Sequence, residues 1–191
     1  SDLAAVLART AKHAGNKEFL DIAKGAMLYS CTRQRPDGAW LYGEDPMNHW
    51  IDNFHTGYNL DALKCYMDYS GDTSFEKNLK IGLEFYKDNF FEESGRPKYY
   101  HNRAYPIDSQ CAAQAIDTLA KFGEVDKDSL RLAEKVAAWT ISEMKDKKGF
   151  FYYRQYPVGI KAKTPMLHWA QATSYKALAS LMFKTRRDGR P

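Results

Sequence analysis

The sequence predicts an all-α fold: a stack of about seven helices paired as hairpins, with strands only as short pairs inside the loops. Three observations predict it. Apolar residues recur at helical spacing through most of the chain. The helical segments alternate between one-sided apolar stripes, suited to outer helices, and segments apolar on several faces, suited to helices enclosed by others. A Gly-aromatic loop also recurs. It is fullest at Gln34–Tyr58 and returns at Ser94-Gly95-Arg96-Pro97-Lys98-Tyr99-Tyr100-His101 and at Lys148-Gly149-Phe150-Phe151-Tyr152-Tyr153-Arg154. Its glycines, at 38, 95 and 149, lie 57 and then 54 residues apart, and a unit of that length marks a repeat architecture. A plain up-and-down bundle would connect its helices with about 2 to 8 residues, fewer than these loops contain.

The first helix carries Leu3, Val6, Leu7, Thr10, Ala11 and Ala14, with Ser1 or Asp2 as cap and Gly15 as stop. Asn16 caps the second, whose stripe is Phe19, Leu20, Ala23, Ala26, Met27 and Ser30, and Pro36-Asp37-Gly38 breaks the pattern. The third begins near Asp52 or Asn53 and ends by Gly71, with Phe54, Tyr58, Leu60, Leu63 and Tyr66 spread over more than one face. Thr73 and Glu76 form a capping box for a fourth, one-sided helix with Phe75, Leu79, Leu83, Tyr86 and Phe90. The fifth, from Asp108, is rich in small residues and reads as an inner helix. Asp126 or Asp128 caps the sixth, with Leu130, Ala133, Val136, Ala137 and Met144 on one side. Thr164 as cap and Pro165 at the first helical position open the last, along which His168, Ala172, Tyr175, Ala179 and Met182 share a face.

At 191 residues the chain suits a single domain spanning 1–191, able to bury roughly 70% of its unfolded surface. A net charge of +4 with interspersed signs, apart from Lys184-Thr185-Arg186-Arg187, accompanies no nucleic-acid motif, so no nucleic-acid partner is expected. Three cysteines without a CxxC pair point to reduced thiols and a cytoplasmic protein. No segment is long and apolar enough to span a bilayer, and no signal peptide opens the chain. Because it begins at Ser1, not Met, a trimmed piece of a longer protein is expected.

Gln34, Gly38 and Trp40 match the QxxxGxW signature of squalene and hopene cyclases, and the hairpins resemble the wider α/α-toroid class to which these belong. The acidic motif that starts cyclisation there has no counterpart here, and the second and third loops keep Gly while losing Gln and Trp. Closer is the likeness to α/α-toroid proteins of bacterial polysaccharide biosynthesis clusters. Its residues are Trp40-Leu41-Tyr42-Gly43-Glu44, Asp52-Asn53-Phe54-His55-Thr56-Gly57-Tyr58, Gly95 to Arg103, Tyr105-Pro106-Ile107-Asp108, and Thr164 to Ala172 with His168 and Gln171. Such proteins resemble toroidal sugar epimerases, unsaturated uronyl hydrolases and polysaccharide lyases. The resemblance implies a partial toroid, since a complete one holds more hairpins than 191 residues supply. The chain would then be the C-terminal half of a longer protein or a minimal open version.

His49, His55, His101 and His168 lie in or just after the loops, where inner helices begin and free N–H groups favour anions. Lys98, Arg103 and Arg154 add positive charge, and Trp40, Tyr42, Trp50, Tyr99, Tyr100, Tyr152 and Tyr153 offer flat faces to sugar rings, with Tyr58 as a further substrate contact. The set reads as a cleft for an acidic, uronic-acid-containing glycan, with Gln171 as a further contact. The competing reading makes Trp40, Phe150 and Phe151 packing staples, Asp52, Asp108 and Thr164 helix caps, and His55 and His168 core histidines. Neighbouring tyrosines are expected on opposite sides of an extended loop. Two enzymatic schemes remain open. Proton abstraction beside a carboxylate would use His55, His101, His168, Tyr58 or Tyr100 as base and acid, with Asn53, Asn102 or Arg103 holding the carboxylate. Hydrolysis would use two carboxylates from Glu44, Asp52 and Asp108, the last two brought to corresponding positions by the repeat. Asp108 and Cys111 with His168 resemble the zinc ligands of toroidal prenyltransferases, but Asp-x-x-Cys departs from their Asp-x-Cys, and no metal or cofactor is expected. The alternative to an enzyme is a non-catalytic glycan-binding or scaffold half-toroid that pairs with another domain or copy. An exposed stripe of Leu3, Val6 and Leu7, or of Tyr175 and Met182, would favour it.

Overall fold

The computed structural model describes residues 2–187. Ser1, one of the two candidate first caps, lies outside the described residues, as does the side chain of Arg187 in the basic tail. Seven α-helices are present among them: α1 (Asp2–Ala14), α2 (Lys17–Thr32), α3 (Asn53–Ser70), α4 (Glu76–Asn89), α5 (Ser109–Phe122), α6 (Lys127–Met144) and α7 (Thr173–Arg187). The strands are two residues each: β1 (Ile107–Asp108), β2 (Arg154–Gln155) and β3 (Lys161–Ala162), antiparallel in the order β1-β2-β3. Two compact units divide the chain, Ser1–Ile51 with His55–Asp88, and Asp52–Phe54 with Asn89–Pro191.

In the first unit α1 packs on α2; Ala4, Ala8 and Ala11 are the buried residues of the first and Ala23, Met27 and Cys31 those of the second. The larger Leu3 and Val6 stay exposed. Asn16 caps α2 through the Glu18 N–H. Before α4, Asp72 and not Thr73 supplies the side-chain acceptor, taking the backbone N–H and hydroxyl of Ser74. Asp72 also accepts from the Tyr66 hydroxyl at 2.9 Å.

In the second unit every residue of α5 except Gln110 and Lys121 is buried. Its alanines let α6 and α7 approach closely on two sides. Asp126 caps α6. The last helix departs from expectation at its start. The Thr164 carbonyl accepts from Met166 N–H at 3.0 Å, a tight turn that keeps Thr164 out of the cap position. The chain then enters a π-helical turn, Leu167–Ala172, ahead of α7.

The repeat in the sequence is one turn built three times. Gly38, Gly95 and Gly149 each donate a backbone N–H to the residue three before, Arg35, Glu92 and Asp146 (2.9, 2.8 and 2.9 Å). Those residues donate in turn to Ala39, Arg96 and Phe150 (2.9, 3.0 and 2.7 Å). The glycines have φ of +92°, +86° and +96°, the left-handed position of a hairpin turn, where a Cβ is costly.

Candidate functional site

The densest arrangement of chemically able side chains surrounds Arg154. The β1–β2 register sets Asp108 opposite Arg154, and Arg154 Nε donates to Asp108 Oδ2 at 2.6 Å. Asp108 Oδ1 accepts the Gln110 N–H at 2.8 Å, so Asp108 also caps α5, and both its oxygens are engaged. The guanidinium lies over the rings of Tyr153 (4.8 Å) and Tyr99 (5.4 Å). Burial opposes its charge, but the bond to Asp108 outweighs this and raises Arg154 above the usual guanidinium range. The Asp108 side chain is 4% exposed and that of Arg154 26%, so Arg154 is partly open to water.

Asp52 and Asn53 lie beside this group. Asp52 bridges to Tyr100, Asn53 N–H donates to the Tyr99 carbonyl at 2.9 Å, and Asn53 Nδ2 donates to the Lys98 carbonyl at 3.2 Å. The expected correspondence of Asp52 and Asp108 takes the form of a shared neighbour. The Cys111 thiol is pushed well above its ordinary range by burial, then by Asp108 and Asp52. Burial also raises the Tyr99 and Tyr153 phenols, which therefore stay protonated as neutral donors. Tyr99 and Tyr100 do not point to opposite sides: their rings are 4.6 Å apart. A turn through His101 and Asn102, closed by the Tyr100–Arg103 bridge, ends the regular extended alternation. Arg103 lies 4.1 Å over the Tyr100 ring, and Lys98 Nζ donates to the His101 carbonyl at 3.0 Å.

A second group belongs to the first unit. Tyr42 stacks on Trp50 (4.5 Å, 14°) and meets His55 edge-on (4.6 Å), and His55 meets Tyr58 (5.9 Å). Glu44 is exposed and accepts from the Tyr29 hydroxyl and from Arg33 Nε, both at 2.5 Å. Tyr29 first, and then Arg33, hold its carboxyl below the usual range. Tyr29, Arg33, Trp40, Tyr42, Glu44 and Asn59 line a pocket of about 230 Å³. Trp40 is 5% exposed; its indole donates to the Ser30 carbonyl at 2.9 Å, and its ring lies against Gly82 of α4. That is the packing role among its two readings.

The remaining candidates stand in the π turn. His168 is exposed with its ring near Trp169 (6.4 Å). Gln171 gives both ends of its amide to the Phe151 backbone, at 2.8 Å each. Three residues escaped the sequence reading. Lys161 and Lys163 both lie over the Tyr152 ring (5.4 and 5.5 Å), and their spacing of two, which puts side chains on one face of a strand, was the signal. Asp117, buried within α5, pairs with Lys121 (2.9 Å) and Lys176 (2.7 Å). A single acid in an apolar helix gave no sign of its partner on α7.

No family model matches the sequence, and a search of curated proteins finds no relative. Solved structures do share the fold. An inactive variant of an α-1,6-mannanase from Salegentibacter sp. HEL1_6, in complex with α-1,6-mannotriose, aligns over 97% of this chain and 54% of its own, with a TM-score of 0.78 at 13% identity. A cellobiose 2-epimerase from Spirochaeta thermophila aligns over 95% and 50% (TM-score 0.75, 12% identity). An unsaturated glucuronyl hydrolase from Bacillus sp. GL1 aligns over 96% and 59% (TM-score 0.65, 14% identity). The chain thus spans little more than half the length of these neighbours. Identities so low establish the fold alone, and the fold they establish is the α/α toroid of sugar epimerases, mannanases and glucuronyl hydrolases, present here in part.

Proposed function

We propose that this protein binds and processes an acidic, uronic-acid-containing glycan in polysaccharide metabolism, with Arg154 as the receptor for a sugar carboxylate. The observation that carries this reading is the setting of Arg154: Nε on Asp108, the guanidinium near the rings of Tyr99 and Tyr153, and the side chain partly open to solvent. A guanidinium fixed in this way offers paired N–H groups to a carboxylate at little ordering cost. Arg103, Lys98, Lys161 and Lys163, each beside an aromatic ring or a loop carbonyl, extend the same pattern. Toroidal neighbours that act on or hold saccharides support a carbohydrate ligand.

Among reactions we favour proton abstraction next to the carboxylate. Asp108 spends both oxygens on Arg154 and on the α5 cap, and Glu44 is tied to Tyr29 and Arg33, which serves poorly a hydrolysis needing two available carboxylates. The exposed His168, in the same unit as Arg154, is the base we assign. Three free cysteines suit a cytoplasmic setting. Among the described residues no helix is long and apolar enough to cross a membrane.

Calorimetric titration with uronic-acid oligosaccharides tests the reading. Binding is expected for the parent chain, with at least a tenfold loss in Arg154→Ala, only partial recovery in Arg154→Lys, and weaker binding of neutral oligosaccharides. Absence of binding by every acidic oligosaccharide sinks it. Turnover lost in His168→Ala with binding kept identifies the base; binding with no turnover in the parent chain favours the non-catalytic module.

A further inference from the structure

The three copies of the Gly turn differ in what covers them. At Gly38 a Cβ would lie 2.3 Å from the Ile81 carbonyl oxygen, so the backbone of α4 is seated directly on the turn. At Gly95 it would lie 2.7 Å from the Lys135 carbonyl, so α6 is seated in the same way. At Gly149 nothing among the described residues lies within 4 Å, although the turn has the same hydrogen bonds and the same left-handed φ. In place of a helix there is a groove of about 610 Å³, lined by Gly149, Phe151, Tyr175, Leu178, Met182 and Phe183 among others. Tyr175, Met182 and Phe183 are 78%, 55% and 58% exposed, an apolar run on one side of α7 with Arg186 at the rim.

We infer that this groove is the seat of one further outer helix, contributed by a polypeptide that carries additional hairpins of the same toroid and is distinct from residues 1–191. Three observations specify the occupant. In both covered copies the atoms seated on the turn are the backbone of an α-helix, Ile81 of α4 and Lys135 of α6, so a helix is the partner that a turn of this type takes in this chain. The groove lining requires an amphipathic helix with an apolar face, and Arg186 favours an acidic residue at its edge. The solved neighbours of this fold are nearly twice as long as the stretch this chain matches, so further hairpins are part of the architecture. The inference stands apart from any glycan.

The test places the photo-crosslinking residue p-benzoylphenylalanine at Met182, in the protein as its source cells produce it, with a companion at Arg131, which is exposed on α6 away from the groove. An adduct mapped by mass spectrometry to an amphipathic helix in a Gly-anchored hairpin repeat, reduced at least tenfold by Ala179→Glu, is the expected result. Ala179 is exposed, so that substitution leaves the fold intact, as circular dichroism would verify. An adduct within residues 2–187 of another copy would overturn the inference in favour of self-association. So would an adduct to a non-helical segment, or a yield no greater than at Arg131.

Discussion

Arg154 and Asp117 are the two residues whose surroundings say most about what the second unit does and how it holds together. Each is a charge withdrawn from water and balanced by opposite charge, but the balance differs. Arg154 stays partly open to solvent, as the proposed carboxylate receptor must, whereas Asp117 is shut in between two lysines and serves stability. Burial pushes the Asp117 carboxyl up, but Lys121 and Lys176 overturn that effect and hold it below the usual range. An unfolded Asp titrates near pH ~3.9. The stabilisation is therefore complete above about pH 4 and is lost as pH falls through the lower folded value. Asp117→Asn should cost about 1 to 3 kcal/mol at neutral pH. The gap between variant and parent should narrow below about pH 4 in urea unfolding followed across pH. A gap that stays constant with pH would mean the ion pairs contribute nothing.

At the scale of the element, the Gly turns show how much of the repeat is backbone. Gln34 and Trp40, the residues that made the first loop conspicuous, are local reinforcements. Gln34 Nε2 donates to the Gly38 and Asn78 carbonyls (2.9 and 3.0 Å), and Trp40 fills the space above Gly82. The second and third turns form without either, because the glycine and its two hydrogen bonds suffice. Gly38→Ala and Gly95→Ala should each cost about 2 to 5 kcal/mol, combining left-handed strain with a clash against a helix backbone. Gly149→Ala should cost only about 1 to 2 kcal/mol, the strain alone. Chemical denaturation of the three variants checks the order, and equal losses would show that the covering helix is irrelevant. With a helix seated in the third groove, the Gly149 variant should approach the other two.

For the whole molecule, a modest excess of positive charge hides a local one. The net charge of +4 is spread over 191 residues, yet Lys98, Arg103, Arg154, Lys161 and Lys163 all belong to the loops and short strands of the second unit. Affinity for an acidic oligosaccharide should therefore fall by about tenfold or more between about 10 mM and 1 M salt, as the screening length shrinks from ~30 to ~3 Å. Titrations at several salt concentrations check this, and an affinity independent of salt would remove the electrostatic part of the proposal.

The sequence by itself determined the helices, their alternation, the three turns and the fold class. All of these rest on local signals: apolar spacing, caps such as Asn16, Asp108 and Asp126, and glycines needed at positive φ. It also named Arg154, Tyr100 and Asp108 as candidates. Only the tertiary structure decided what each does, because a side chain's role depends on partners far along the chain. Asp108 meets Arg154 across 46 residues, Asp117 meets Lys176 across 59, and Gln171 is spent on the Phe151 backbone. The same holds for the turn at Gly149. Its conformation is written in its own residues, but that no helix among the described residues covers it follows from the packing of α7 and the third loop, which no local pattern reports.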